Sequence, residues 1–461
     1  MKVLFVIRST RTFHYHRSII ASLLRRGHSV HALFDYEWSR TKIGAQDIIE
    51  KFCSEYPDFK YSWAISRRDL WSKILFPLRE LRSFRSYLNR PEQSLYYKER
   101  SRRYLSWKLR FLTLHFPVLE FFLKMGLSER LLGWVENMTP PDRKIVQDIR
   151  RIAPQVVLAS PVNLRYSSAD LEYLKAAVWL RIPSAVQIIS WDNLTTKGLI
   201  HIIPDKVLVW NKVQAEEASS YHKIPVESIE ITGAPVFDEW FEEFNPSLSR
   251  EEFCKRFSLR LEDPFLVYLG STENIAENET WLVRDLRDAL NRATDFDLRR
   301  VQIVVRPHPG HAKIYNVLVS CPGISIVPPE GSLPATRERL ELFYDTLYHS
   351  IGTVGINTTG MIDAIIVGKP GIAMLTPQYS RTQAEAQHFQ HLLAGDALER
   401  ARNPEEFLGA VRRFLDNSED RGSKRISFVE KFVRPLGMNH PAGEAVAQAI
   451  EDLWRSKQSS D

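Results

Sequence analysis

The sequence predicts an α/β protein made of two doubly wound domains, and three observations carry that prediction. At 461 residues the chain is too long for one ordinary core, so two domains of roughly 200 residues each are expected. It opens on an apolar run at residues 2–7, then a helix-spaced segment to about Arg26, then a second apolar run from Ser29 to Phe34. That is the strand–helix–strand unit that begins a doubly wound sheet. The same alternation starts afresh at Phe265, after an acidic helical stretch.

Composition narrows the class. A hydrophobic content of 44%, 26% charged residues and 25 prolines describe a globular chain. Cys53, Cys254 and Cys321 show neither CxxC spacing nor a close His cluster. No metal site and no disulfide framework are expected, and a reducing cytoplasm fits. The N-terminal apolar run is too short for a signal peptide, and no apolar stretch is long enough to predict a transmembrane helix.

Taken in order, the first helix shows Ile19, Ile20, Leu23 and Leu24 at helical spacing and is closed by Gly27. No GxGxxG follows the first strand, so the dinucleotide fingerprint is absent. Residues 60–145 break the rhythm. They read as several helices punctuated by Pro77, Pro91, Pro117 and Pro140-Pro141, inserted into the first domain. From Lys60 to Lys124 there are fifteen Lys/Arg and five Asp/Glu, a net +10 in a chain whose total is +6. This segment is also rich in aromatics, from Trp63 and Trp71 to Phe121 and Phe122. Three uses are open to it: a helical cover with solvated charges, an anionic membrane surface, or nucleic acid. No recognition motif accompanies the last, and no nucleic-acid partner is expected.

The α/β pattern then resumes. Strands are predicted at Val156–Ala159, Ala185–Ser190, Lys206–Trp210 and Ile229–Thr232, with helices at Ser168–Leu180 and Val213–Tyr221. Residues 1–240 are assigned to the first domain, 240–262 to a link and 262–440 to the second domain. The last helix, within 441–461, is expected to pack back on the first. In the second domain, strands are predicted at Phe265–Leu269, Val301–Val305, Ile324–Val327, Gly352–Ile356 and Gly371–Leu375.

Residues 350–375 are the most informative. Asn357, Thr358 and Thr359 lie between an apolar run and a short helix-like segment that stops at Gly368 and Pro370. Asn and Thr are good N-caps, and a helix N-terminus offers free N–H groups and partial positive charge to a phosphate. Upstream, a strand runs into Arg306-Pro307-His308-Pro309, which puts a cation and an imidazole at a strand's C-terminal end. Open α/β sheets bind ligands at that edge. Two anion-friendly strand ends predict a nucleotide diphosphate site. The plainer alternatives are ordinary N-capping for Asn357–Thr359, a surface ion pair for Arg306 and a rigid turn for His308.

These motifs resemble those of sugar-nucleotide and CDP-alcohol transferases, including CDP-glycerol glycerophosphotransferases and capsule glycosyltransferases. The shared features are the strand-end Arg306-Pro307-His308-Pro309, then Asn357-Thr358-Thr359 with Asp363, then Gly368-Lys369-Pro370. Ser190-Trp191-Asp192-Asn193 with Thr196-Lys197-Gly198 is similar to the glycerophosphotransferase Trp-His-Gly block, with Asp192 in place of the His. Gly233-Ala234-Pro235 with Asp238 resembles the turn that closes the first domain in many such enzymes. The resemblance implies a GT-B-like fold, two Rossmann-like domains facing a cleft, with a nucleotide-sugar as co-substrate and no other cofactor.

It also implies roles. Donor phosphates would be met by Arg306, His308, Asn357, Thr358, Thr359 and Gly360, and by the loop with Ser271 and Thr272; Asp363 would contact a ribose hydroxyl. A metal could also stabilise the leaving group, but no Asp-x-Asp triplet is expected in the chain and no metal is assigned. The base is expected from the first domain: Asp192 first, then His14 and His16 in the first strand–helix loop, with Glu273 a fourth candidate. The expected activity is transfer of a sugar to a cell-envelope polysaccharide or lipid-linked acceptor, in the cytoplasm or at the inner face of the membrane. The alternatives are alditol-phosphate transfer, a sugar-nucleotide 2-epimerase and an inactive binding protein of the same shape. Against the epimerase, Arg8-Ser9-Thr10-Arg11-Thr12 stands where that family has Gly-Thr-Arg-Pro-Glu.

Overall fold

The computed structural model describes residues 1–36, 46–90, 92, 94–163, 166–241, 245–332 and 335–458; Pro91 lies outside them. The chain divides into two compact units, Met1–Glu239 with Phe432–Asp461, and Trp240–Lys431. Residues 245–261, assigned above to a link, thus belong to the second unit, and the chain returns to the first at Phe432 rather than after 440.

The first unit holds seven strands: β1 (Lys2–Ile7), β2 (Ser29–Asp35), β3 (Phe59–Ala64), β4 (Val156–Ser160), β5 (Ser184–Gln187), β6 (Lys206–Val209) and β7 (Ile229–Ile231). Their order is β3-β2-β1-β4-β5-β6-β7, and every pair is parallel. The order reverses between β1 and β4, so the loops after those strands flank the crevice where such sheets take ligands. β1 is buried from Val3 to Ile7, as a central strand covered on both faces must be.

The second unit holds β8 (Phe265–Leu269), β9 (Gln302–Arg306), β10 (Ile324–Ile326), β11 (Gly352–Gly355), β12 (Gly371–Met374) and β13 (Glu399–Ala401). Their order is β10-β9-β8-β11-β12-β13, again all parallel, with the reversal between β8 and β11. β3 and β13 are not predicted from the sequence. β3 opens the segment assigned to the insertion, with Trp63 41% exposed at the sheet edge. The true insertion therefore begins after Ala64. It ends before the helix Arg143–Ile152, which is the crossover into β4.

The inserted helices Ser72–Leu88, Leu95–Arg103, Trp107–His115, Pro117–Lys124 and Gly126–Met138 share a small core of Phe84, Leu105 and Leu123. Buried ion pairs tie them to one another and to the helix Ala169–Trp179. Arg79 meets Glu136 at 2.9 Å and also pairs with Glu172; Arg67 meets Glu172 at 3.0 Å and Lys175 meets Glu136 at 2.9 Å. Arg67, Arg79, Arg82 and Arg90 are all buried. Part of the +10 counted along the sequence is therefore internal structure rather than surface charge.

The last helix, Ala442–Gln458, is part of the first unit's core: Val446, Ile450 and Leu453 pack with Val3, Phe5 and Ile20. Asp238 caps it, accepting from Ala442 N at 3.0 Å and Gly443 N at 2.7 Å, and pairs with Arg434 at 2.9 Å.

Candidate functional site

Because all six strands of the second unit are parallel, their C-terminal ends lie on one edge. That edge collects the loop after β8 with Gly270, Ser271 and Thr272, Arg306 and His308 at the end of β9, and Asn357 to Gly360 after β11. β8 lies between β9 and β11, so the three predicted segments are neighbours.

Their side chains do not all do what the sequence predicts. The helix after β11, Gly360–Ile366, has seven residues, and Thr359 at its N-cap makes no side-chain capping bond. Its first N–H groups are already used: Met361 N donates to Thr358 O at 3.1 Å and Ile362 N to Thr359 O at 2.8 Å. Thr358 Oγ1 accepts from Gly360 N at 3.4 Å. Asn357 is buried and donates its amide to Thr382 O at 2.8 Å, so it fastens the loop rather than capping the helix. The expected cradle of free N–H groups is not formed here. Thr359 is exposed, and Thr358 and Gly360 are half-buried.

Gly270 answers to packing. A Cβ there would lie 2.5 Å from the Tyr315 hydroxyl and 3.1 Å from Arg306 O, and its N–H donates to Arg306 O at 2.9 Å. Ser271 is buried, and its N–H is held at 2.6 Å by Glu279, which also accepts from Tyr268 at 2.8 Å and Tyr315 at 2.6 Å. Only Thr272 of that loop is partly open, and Glu273 beside it is exposed. His308 is half-buried, with Nδ1 accepting from Gly310 N at 3.2 Å, which makes the Pro-His-Pro corner a tight turn.

Arg306 and Asp363 form the charged heart of this edge. The Arg306 guanidinium lies 3.9 Å over the Phe343 ring and donates Nη2 to Ser332 O at 3.2 Å. Its Nη1 is buried and has no hydrogen-bond partner among the described residues. Burial lowers its pKa to about 10, with Asp363 pulling the other way. Asp363 is buried, and its Oδ1 accepts from Trp240 Nε1 at 2.7 Å. Burial raises its pKa to about 7 against the pull of Trp240 and Arg306. Trp240, Phe343 and Ser332 carry no motif; only their packing around Arg306 and Asp363 reveals them.

In the first unit, β1 leads into a 3₁₀ turn, Thr10–Tyr15, capped by Ser9. His14 lies on it, with Nδ1 2.9 Å from Arg11 O. The carbonyl can only accept, so Nδ1 carries the proton and Nε2 presents its lone pair. Nε2 is buried and has no hydrogen-bond partner among the described residues. Burial lowers the His14 pKa to about 4, offset in part by the Arg11 bond, and the ring is neutral at pH 7. His16 is fully buried, edge-on to Phe5 at 4.8 Å, with its pKa lowered by burial to about 3. It is a core residue.

Asp192 is not at a strand end, since β5 stops at Gln187. It sits on a turn before the short helix Asn193–Thr196. Its carboxylate accepts from Ser190 Oγ at 2.6 Å and Thr196 Oγ1 at 2.9 Å and pairs with Lys197 at 2.9 Å. Three donors hold its two oxygens, which leaves it less available as a base than the sequence suggests.

One Asp-x-Asp triplet, Asp295-Phe296-Asp297, does occur. Asp295 caps the helix Phe296–Arg300, and both carboxylates face Arg412, at 2.9 and 3.4 Å. This helix leads into the start of β9, the sheet edge opposite Arg306.

No protein-family model matches the chain. No curated protein sequence matches it significantly. Solved structures do match. A putative UDP-N-acetylglucosamine 2-epimerase from Listeria monocytogenes aligns over 100% of this chain and 97% of its own, with TM-score 0.56 and 11% identity. The chain has the GT-B fold. The Methanocaldococcus jannaschii UDP-GlcNAc 2-epimerase, solved with UDP-GlcNAc and UDP, shares this fold at TM-score 0.53 and 13% identity, over 98% of this chain and 100% of its own. A glycosyltransferase from Rickettsia africae ESF-5 shares it at TM-score 0.53 and 9% identity, over 100% and 99%. Within the GT-B fold, the edges bearing Arg306 and His14 are the strand-end edges of its two Rossmann-like units.

Proposed function

We propose that the chain is a glycosyltransferase that takes a sugar from a nucleotide-sugar donor and, without a metal, passes it to a cell-envelope polysaccharide or lipid-linked acceptor. The observation that carries this reading is Arg306. A buried guanidinium with one nitrogen unpartnered, at the C-terminal end of a parallel strand, is built to receive an anion. The donor's diphosphate gains charge as the sugar leaves, and Arg306 would stabilise that charge. Thr272, Thr358 and His308, beside it on the same edge, would position the phosphates. His14 Nε2, neutral at pH 7, would take the acceptor hydroxyl's proton.

The solved epimerases of this fold favour a second reading, a sugar-nucleotide 2-epimerase. The two differ in product. The first test is thermal shift with nucleotides and nucleotide-sugars, where no stabilisation by any of them would defeat both readings. The second follows the bound nucleotide-sugar. Release of nucleoside diphosphate with glycosylated acceptor supports transfer. A changed sugar configuration with the nucleotide retained identifies epimerisation. Release of nucleoside monophosphate identifies alditol-phosphate transfer, and binding without turnover identifies an inactive protein.

A further inference from the structure

Seventeen of the thirty exposed large apolar side chains described in the structure fall between Leu70 and Met138, so they form a local feature and not the scatter of an ordinary surface. They also repeat at helical spacing. The helix Trp107–His115 exposes Trp107, Phe111 and Leu114; the segment after it exposes Val118, Phe121 and Met125; the helix Gly126–Met138 exposes Leu127, Leu131, Trp134 and Met138. Steps of three and four residues make a stripe, and a globular helix normally buries its stripe. Other positions of the same helices, Leu109, Leu123 and Leu132, pack into the small internal core, while the stripes reach solvent: Trp107 is 76% exposed, Phe121 68% and Trp134 60%.

Charge decides what covers them. Arg103, Lys108, Arg110, Lys124 and Arg130 are exposed around the stripes. Among the described residues, Arg103, Lys108, Arg110 and Arg130 meet no carboxylate within ion-pair distance. Glu120 is engaged by Arg102 at 2.7 Å and Lys124 at 2.8 Å, and Glu129 by Arg85 at 2.8 Å. The surface is thus apolar with an uncompensated cationic rim. A second copy of the same face would bring like charges together. An anionic bilayer meets both features: Trp and Phe enter the interfacial zone while Lys and Arg reach the headgroups.

We infer that residues 103–138 form an in-plane docking surface for an anionic lipid bilayer. The sequence places the basic, aromatic segment at 60–124, but its first half is largely taken up by internal ion pairs and core. The docking surface is the later half and extends past it to Trp134 and Met138. This holds whichever reaction the chain catalyses, because it rests on the inserted helices alone.

The test is co-sedimentation of the full chain with vesicles of phosphatidylcholine alone and with added phosphatidylglycerol. Wild type is expected to pellet with the anionic vesicles and to be released by high salt. A Lys108→Glu/Arg110→Glu variant and a Trp107→Ser/Phe111→Ser variant should each lose roughly tenfold or more of the bound fraction. All four side chains are exposed, and circular dichroism and thermal unfolding will show that both variants fold. Equal pelleting of wild type and variants, or none with anionic vesicles, would overturn the inference. So would a wild-type dimer in sedimentation velocity that the Trp107→Ser/Phe111→Ser variant dissociates. Nucleotide thermal shift on the same variants should be unchanged, which separates loss of docking from loss of the donor site.

Discussion

Trp240 donates its indole N–H to Asp363 Oδ1 at 2.7 Å and fixes a carboxyl that burial holds near pKa 7. Among the described residues, Arg306 is the cation whose charge acts on it there. Because the folded-state pKa is raised above the ordinary 3.8, the folded protein holds this proton more tightly than the unfolded chain. The stability it contributes is complete below about pH 4 and is lost as pH rises to about 7. Asp363→Asn keeps an acceptor for Trp240 without the buried charge. Its stability relative to wild type should therefore rise between about pH 4 and 7, by on the order of a few kcal/mol. Thermal unfolding of both proteins across that range checks it; parallel curves would mean that Asp363 does not titrate there.

Arg306→Lys retains charge but not the planar guanidinium over Phe343. Nucleotide affinity should fall roughly tenfold or more, because a point charge replaces a fixed fork of donors. Thermal shift against nucleotide concentration measures this, and unchanged affinity would remove Arg306 from the donor site.

His14→Ala should abolish turnover while donor binding persists, and Asp192→Asn should leave most activity in place. With the His14 pKa lowered to about 4, the base is free at any higher pH. The acid limb of kcat/KM should therefore stay flat down to about pH 5 and fall only below it. An acid limb near pH 6.5 would point to an unperturbed imidazole elsewhere.

Arg79 lies between Glu136 and Glu172, all with fully buried side chains. Burial alone would raise the Glu136 pKa, but Arg79 and Lys175 outweigh it and hold it down to about 2. Its contribution is present above the ordinary 4.5 and is lost as pH falls toward 2. Arg79→Met leaves two carboxylates short of a partner and should cost about 3–5 kcal/mol, measured by urea unfolding at pH 7. A change below 1 kcal/mol would show that Arg67 and Lys175 suffice.

Periodicity, run length and flanking turn residues placed most strands and helices within a residue or two, because buried parallel strands such as β1, β8 and β9 are short apolar runs bounded by polar or turn residues. It missed β3, whose alternating Phe59–Ala64 sits at an exposed edge among basic residues, and the three-residue β13. For the candidate site, residue type and position at or after a strand's end singled out Arg306 and His14 as candidates. What each polar side chain is bonded to was not, since partners come from distant sequence: Asn357 turns to Thr382, Asp363 to Trp240 and Ser271 to Glu279.

Local spacing and composition were enough to mark out two α/β units, the strand ends that bear charge and the segment that carries the basic, aromatic excess. It took the folded chain to show that Asp192 is hydrogen-bonded and ion-paired, that His16 is core, that the helix after β11 has spent its first N–H groups, and which cations of the insertion face solvent. Burial and hydrogen-bond partners depend on what folding brings together, and a side chain's proton affinity and availability follow from those neighbours.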